Sequence, residues 1–281
     1  SIVSKDAPRE RMATAMGTLN FSGDLGKLVG PFVAGIVATQ FGWRAALGSV
    51  GLFTAIFTLT LLVRHYNDAP VRRAATAAAA EKQVGTSAID SSGGTITRGF
   101  SWVLLAGVLD NATRGAALTF IPFVLVDKGF DAAAISALFA VIFAGGAAGK
   151  FACGWLTDRS GVIAVIVVTE LATAGALLGL TMASSWLTIP LVAIFGFALN
   201  GTSSALNVAV ARLVPPELRG KGYGMYFTAV LVSSAGAPLA YGLLADATTI
   251  TTIFLVMTVL TIAVIPAILP IRETLRLDAG V

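Results

Sequence analysis

Along the chain, long apolar runs alternate with short polar breaks. Crossing roughly 30 Å of hydrocarbon takes about 20 residues of helix. Eight runs approach or exceed that length, at about 12–39, 44–63, 100–126, 132–156, 162–184, 187–211, 222–244 and 250–269. They are too long and too unalternating for barrel strands, and in lipid the backbone must satisfy its own hydrogen bonds. The pattern therefore predicts an all-α, polytopic membrane protein with about eight transmembrane helices.

The longest polar break, residues 65–98, is rich in Ala, Ser, Thr and Gly, with scattered charge and no sustained apolar face. It predicts a mobile linker containing one short Ala-rich helix. Two spans precede it and six follow, which gives segments 1–64, 65–98, 99–271 and a short tail, 272–281.

Composition agrees with this picture. Of 281 residues, 56% are hydrophobic and 12% charged, against about 45–50% and about 25% in soluble domains. A mean hydropathy of +0.84, spread over the whole length, is more than one leader or anchor supplies. The single cysteine, Cys153, excludes a disulfide framework, and with one histidine, His65, little is left for metal or Ser-His-Asp chemistry. No cofactor is expected. The chain opens on Ser1 with a short polar stretch and no leader pattern, and is expected to be a piece of a longer protein.

The net charge of +4 acquires meaning only from where the basic residues fall. Fifteen of the 19 Lys and Arg lie near the span ends of one side, Arg44 and Lys128 lie on the other, and Lys27 and Arg114 fall inside spans. Cytoplasmic loops carry such an excess. Both termini and the linker are therefore expected in the cytoplasm, with no nucleic-acid partner.

A self-comparison reveals an internal repeat: Pro8 and Arg11 match Pro216 and Arg219 and, after a one-residue gap, Gly17, Pro31 and Gly35 match Gly224, Pro238 and Gly242. The repeat length is six spans plus a linker. Parallel six-helix halves joined by a long cytoplasmic loop resemble the architecture of major facilitator superfamily transporters. That family's cytoplasmic motif G-x-L-x-D-R-x-G is present as Gly154, Leu156, Asp158, Arg159 and Gly161. There Asp158 can accept from free helix N–H groups or pair with Arg159, latching two helices in one state. Val162 and Ile163 follow where the family usually has basic residues. Gly17, Gly26, Gly30, Pro31, Ala34 and Gly35 resemble the family's antiporter pattern, with one Gly replaced by Ala. Small residues at this spacing allow close helix packing, and Pro31 bends the helix. The resemblance implies that the eight spans are the fifth to twelfth of twelve, so that the first four, or an oligomeric partner in their place, are expected to complete the assembly.

Ionisable groups inside a membrane usually face a cavity, a partner or a water path. Asp110 and Arg114 stand at i, i+4 on the third span with Asn111 beside them. The pair either neutralises itself or divides the work, Asp110 holding a proton and Arg114 an anionic group. Asp24 and Lys27 form a similar pair in the first span. Asn200 and Asn207 share a face of the sixth span, as substrate contacts or as part of a close-packed seam. Glu170, on a span corresponding to a peripheral helix of the family, is expected to be a helix contact or a snorkelled group. Phe120, Phe123, Tyr226 and Phe227 serve packing or line an apolar pocket.

The resemblance implies a secondary transporter that moves a small organic solute by alternating access, coupled to protons, with export by antiport favoured by the Gly-Pro helix. Arg114 and Lys27 motivate an alternative, uptake of an organic anion by symport. A non-transporting scaffold derived from a transporter is an alternative of another class. An enzyme is not expected, because the carboxylates are dispersed and no nucleophile-base cluster accompanies them. There is no G-x-x-x-x-G-K-[ST] loop for direct ATP coupling.

Overall fold

The computed structural model describes residues 26, 29–30, 33–83, 98–215 and 218–272. Among them the ordered elements are helical, without strands. The chain forms two compact units, residues 1–33 with 95–281, and residues 34–94. In the smaller unit, residues 34–41 are helical, Gly42 interrupts the helix at φ +85°, and α1 spans Trp43–Gln83. Its apolar part, Trp43–Arg64, is almost wholly exposed. The short Ala-rich helix expected inside the linker is instead a direct continuation of α1. Alanine is the best helix former, and extending an existing helix avoids the cost of nucleating a new one.

In the larger unit, α2 (Arg98–Asp127), α3 (Ala132–Ser160), α4 (Val162–Met182), α5 (Thr188–Leu213), α6 (Arg219–Ala247) and α7 (Ile250–Ile268) pack as a bundle. Six of the described helices, α1 and α3 to α7, are long and apolar enough to cross a membrane. The 30-residue α2 is also long enough, at about 45 Å. It is less apolar because Asp110, Asn111 and Arg114 occupy its middle. The expected first span, 12–39, lies largely outside the described residues.

Local sequence explains the reversals. After α2, Gly129 adopts φ +85°, while its N–H donates to Val126 O and that of Phe130 to Leu125 O. This pairing satisfies carbonyls that the helix end leaves open. Asp131 then caps α3, its Oδ1 accepting from the Ala134 N–H at 2.7 Å. Between α3 and α4 the chain turns on Gly161 alone, at φ 85° and ψ 153°, a conformation essentially reserved for glycine.

Two apolar clusters fill the bundle at different depths. One gathers Phe100, Val103, Val165, Ile166, Leu206, Val210, Val264 and Ile268. The other gathers Ile121, Leu125, Ile142, Leu177, Phe195, Leu199, Phe254 and Met257. On α2, α4, α5 and α7, the residues between the two contributions are polar and buried: Asp110 and Thr113, Thr169, Glu170 and Thr173, Asn200 and Thr202, Thr258 and Thr261. A polar layer thus separates two apolar cores.

Candidate functional site

The polar layer sits near the middle of the bundle. Asp110 lies 12 residues into α2, about 18 Å along its axis. Its side chain is only 2% exposed, and Arg114 Nη2 stands 3.9 Å from its Oδ2. That is an ion pair without a hydrogen bond. Asn111 Nδ2 donates to Asp110 Oδ2 at 3.3 Å and to Gly107 O at 2.9 Å.

The guanidinium hydrogen-bonds neutral acceptors on α5. Nη1 donates to Asn200 Oδ1 at 3.2 Å, and Nη2 donates to Leu199 O at 2.5 Å. Nε has no hydrogen-bond partner among the described residues. The Asn200 amide is held in turn by its Nδ2, which donates to Gly196 O at 3.2 Å. Room for this arrangement comes from glycine. A Cβ at Gly146 would collide with the Asn200 amide, and one at Gly149 or Gly196 would collide with the facing backbone of Phe197 or Ile142. The α3–α5 contact therefore depends on missing side chains.

Glu170, on α4, completes the charged group. It is 1% exposed and lies beside the Asp110 carboxyl and the Thr202 hydroxyl. Thr202 Oγ1 donates to Thr169 Oγ1 at 2.7 Å. Glu170 Oε1 is buried without a hydrogen-bond partner among the described residues, as are the hydroxyls of Thr113 and Thr261. Tyr226, also buried, packs its ring against Gly107, one turn from Asp110.

A pocket of about 150 Å³ opens beside this group, lined by Arg114, Leu118, Ile142, Phe143, Gly146, Ala147, Leu199 and Asn200. Arg114 is the ionisable residue among these; neither carboxyl lines the pocket.

The structure thus brings Asp110, Asn111, Arg114 and Asn200 together, as their polarity within apolar spans suggested. Asn207 is outside the cluster, two helical turns further along α5, with its backbone carbonyl accepting from Tyr223 Oη at 3.4 Å. Asp24, Lys27 and Pro31 lie outside the described residues. Among the described residues, a Cβ at Gly26 or Gly30 would meet nothing beyond the backbone of its own helix, and Gly35 is buried. Pro238 is inside α6. In the motif at the end of α3, Asp158 and Arg159 are exposed. No side chain caps α4, and Arg159 stacks on Trp155 at 4.0 Å, so the expected Asp158–Arg159 latch contact gives way to a cation–π contact. A Cβ at Gly154 would meet Ser204 Oγ at ordinary van der Waals distance. The pocket's aromatic residue is Phe143 rather than Phe120 or Phe123, which pack on each other with ring centroids 5.9 Å apart.

Sequence reasoning missed Phe143 and underrated Glu170. The available signal for Glu170 was its flanking Thr169 and Thr173, which make a polar stripe on an otherwise apolar helix.

The model of the Major Facilitator Superfamily matches residues 1–109 and 103–278. The chain belongs to the Major Facilitator Superfamily. As a member of this superfamily of membrane transporters it is an integral, multi-pass membrane protein. A 74-residue stretch is 34% identical to Multidrug resistance protein MdtG of Serratia proteamaculans (strain 568), covering 26% of this chain and 18% of that protein. The match thus spans about a fifth of that relative's length.

Proposed function

We propose that the protein is a proton-coupled secondary transporter that moves a small organic solute by alternating access, with the α2–α4–α5 polar layer as its coupling centre. One observation carries this reading. Two buried carboxyls, Asp110 and Glu170, lie side by side with one guanidinium, Arg114. In a medium that penalises uncompensated charge, one proton on the carboxyl pair balances the group. Export by antiport is the first reading of direction, supported by the glycine-proline pattern of the first span and by a relative named for multidrug resistance. Inward symport of an organic anion is the second, favoured by Arg114 at the pocket.

In this account, the Gly154–Gly161 motif at the end of α3 and the segments carrying Gly26, Gly30, Pro31, Gly35 and Pro238 serve the conformational change. Asp24, Lys27 and Asn207 are further candidates for the solute path. Both termini face the cytoplasm of a bacterial inner membrane.

The test is proton movement in proteoliposomes of the full-length protein on adding benzenesulfonate, an aryl anion that does not cross the bilayer as a neutral acid, or the cationic dye ethidium. Solute-dependent proton flux that Asp110→Asn abolishes is the expected result. Solute movement without proton flux, or flux unchanged in Asp110→Asn, contradicts the coupling.

A further inference from the structure

We infer that the pocket beside Arg114 and Asn200 is a subsite for the acidic head group of an organic anion, with room for a small apolar body of about the size of one benzene ring. The inference rests on the transport reading but not on its direction.

Charge is the first argument. Of the three ionisable side chains in the polar layer, Arg114 is the one that lines the pocket and the one with appreciable exposure, 17% against 2% for Asp110 and 1% for Glu170. An arriving ligand meets positive charge, with both carboxyls behind it. A cationic group entering here is repelled by the guanidinium and finds no carboxylate on the pocket wall.

The donor set is the second. The guanidinium fork matches a carboxylate with two parallel N–H···O bonds. Its hydrogen bonds in the structure go to an amide oxygen and a backbone carbonyl, both neutral, and are made by Nη1 and Nη2, while Nε is buried. Asp110 at 3.9 Å supplies charge but no hydrogen bond. Exchanging a neutral acceptor for an anionic one roughly doubles the strength of such a bond.

Size and lining are the third. The pocket volume, about 150 Å³, is that of an apolar cavity known to take benzene and lies below the range of whole drug-sized sites. Apart from Arg114 and Asn200, its walls are Leu118, Ile142, Phe143, Ala147, Gly146 and the Leu199 residue. An aryl or short alkyl carboxylate matches this division into one charged corner and an apolar wall.

The test measures binding of benzoate, benzamide and benzylamine to the full-length protein in nanodiscs by calorimetry, so it requires no transport. The expected result is benzoate bound at least about tenfold more tightly than either analogue, a preference lost in Arg114→Gln and reduced about threefold in Arg114→Lys. Ala147→Phe, which fills the pocket without altering charge, is expected to abolish benzoate binding, and remains informative if the Arg114 variants fail to fold. Benzamide binding as well as benzoate, or benzoate binding unchanged in Ala147→Phe, overturns the inference. Benzoate binding that meets these expectations while solute moves without proton flux removes the coupling proposal and leaves the subsite standing.

Discussion

Arg114 spends its hydrogen bonds on neutral acceptors of α5 while two carboxyls lie behind it on α2 and α4. Removing its charge strands buried negative charge, and leaving a buried ion unpaired costs about 3–5 kcal/mol. Arg114→Leu is therefore expected to lower the unfolding temperature sharply. Adding Asp110→Asn, which removes one of the stranded carboxyls, is expected to restore part of the loss. Thermal unfolding in detergent checks this, and a double variant no more stable than Arg114→Leu contradicts the charge balance. How legible these residues were depends on how local their partners are. Asp110 and Arg114 were readable together because i, i+4 spacing places them on one helix face. Asn200 was readable as a polar residue in an apolar span. Glu170 was not readable as their neighbour, since its partner is 60 positions away in sequence and is supplied by helix packing. The Asp158 contact failed for a related reason: Trp155, one turn earlier on the same helix, offers Arg159 an aromatic face.

Among the elements, α3 and α5 come close because glycines leave space on both. A Cβ at Gly196 would meet the Ile142 backbone, which cannot rotate aside as a side chain can. Gly196→Ala is expected to push the helices apart at a cost of about 1–3 kcal/mol and to shift Asn200, whose amide is anchored on the Gly196 carbonyl. A lower unfolding temperature together with weakened benzoate binding is the expected outcome; unchanged stability contradicts the close approach. Helix existence was legible from hydropathy for most of these elements, because a run of about 20 apolar residues has few other uses. The length of α1 was not. Its polar continuation carries no apolar signal, only the helix propensity of its alanines.

For the bundle of residues 98–272, the proposed sidedness rests on which helix ends meet. The Cβ position of Gly99, at the start of α2, approaches Ile271 and Leu213 at 3.2 Å, so the ends of α5 and α7 share one face of the bundle with it. At the other, Ser185 Oγ donates to Lys128 O at 3.3 Å and Lys128 Nζ to Ala183 O. Arg159 and Arg212, near the ends of α3 and α5, belong to the charge excess of the former side. In a Cys153→Ala background, Ser184→Cys is expected to react with an impermeant maleimide in intact cells, and Ser160→Cys only after permeabilisation. The reverse pattern contradicts the orientation.

The central claim is that the Asp110–Glu170 pair carries the coupled proton, and comparing two fluxes of one variant tests it most directly. In proteoliposomes of Glu170→Gln, accumulation of benzenesulfonate, an aryl anion that does not cross the bilayer as a neutral acid, driven by an imposed pH gradient is expected to vanish while benzenesulfonate self-exchange, which needs no net proton movement, persists. Loss of both fluxes alike, or survival of both, contradicts the claim.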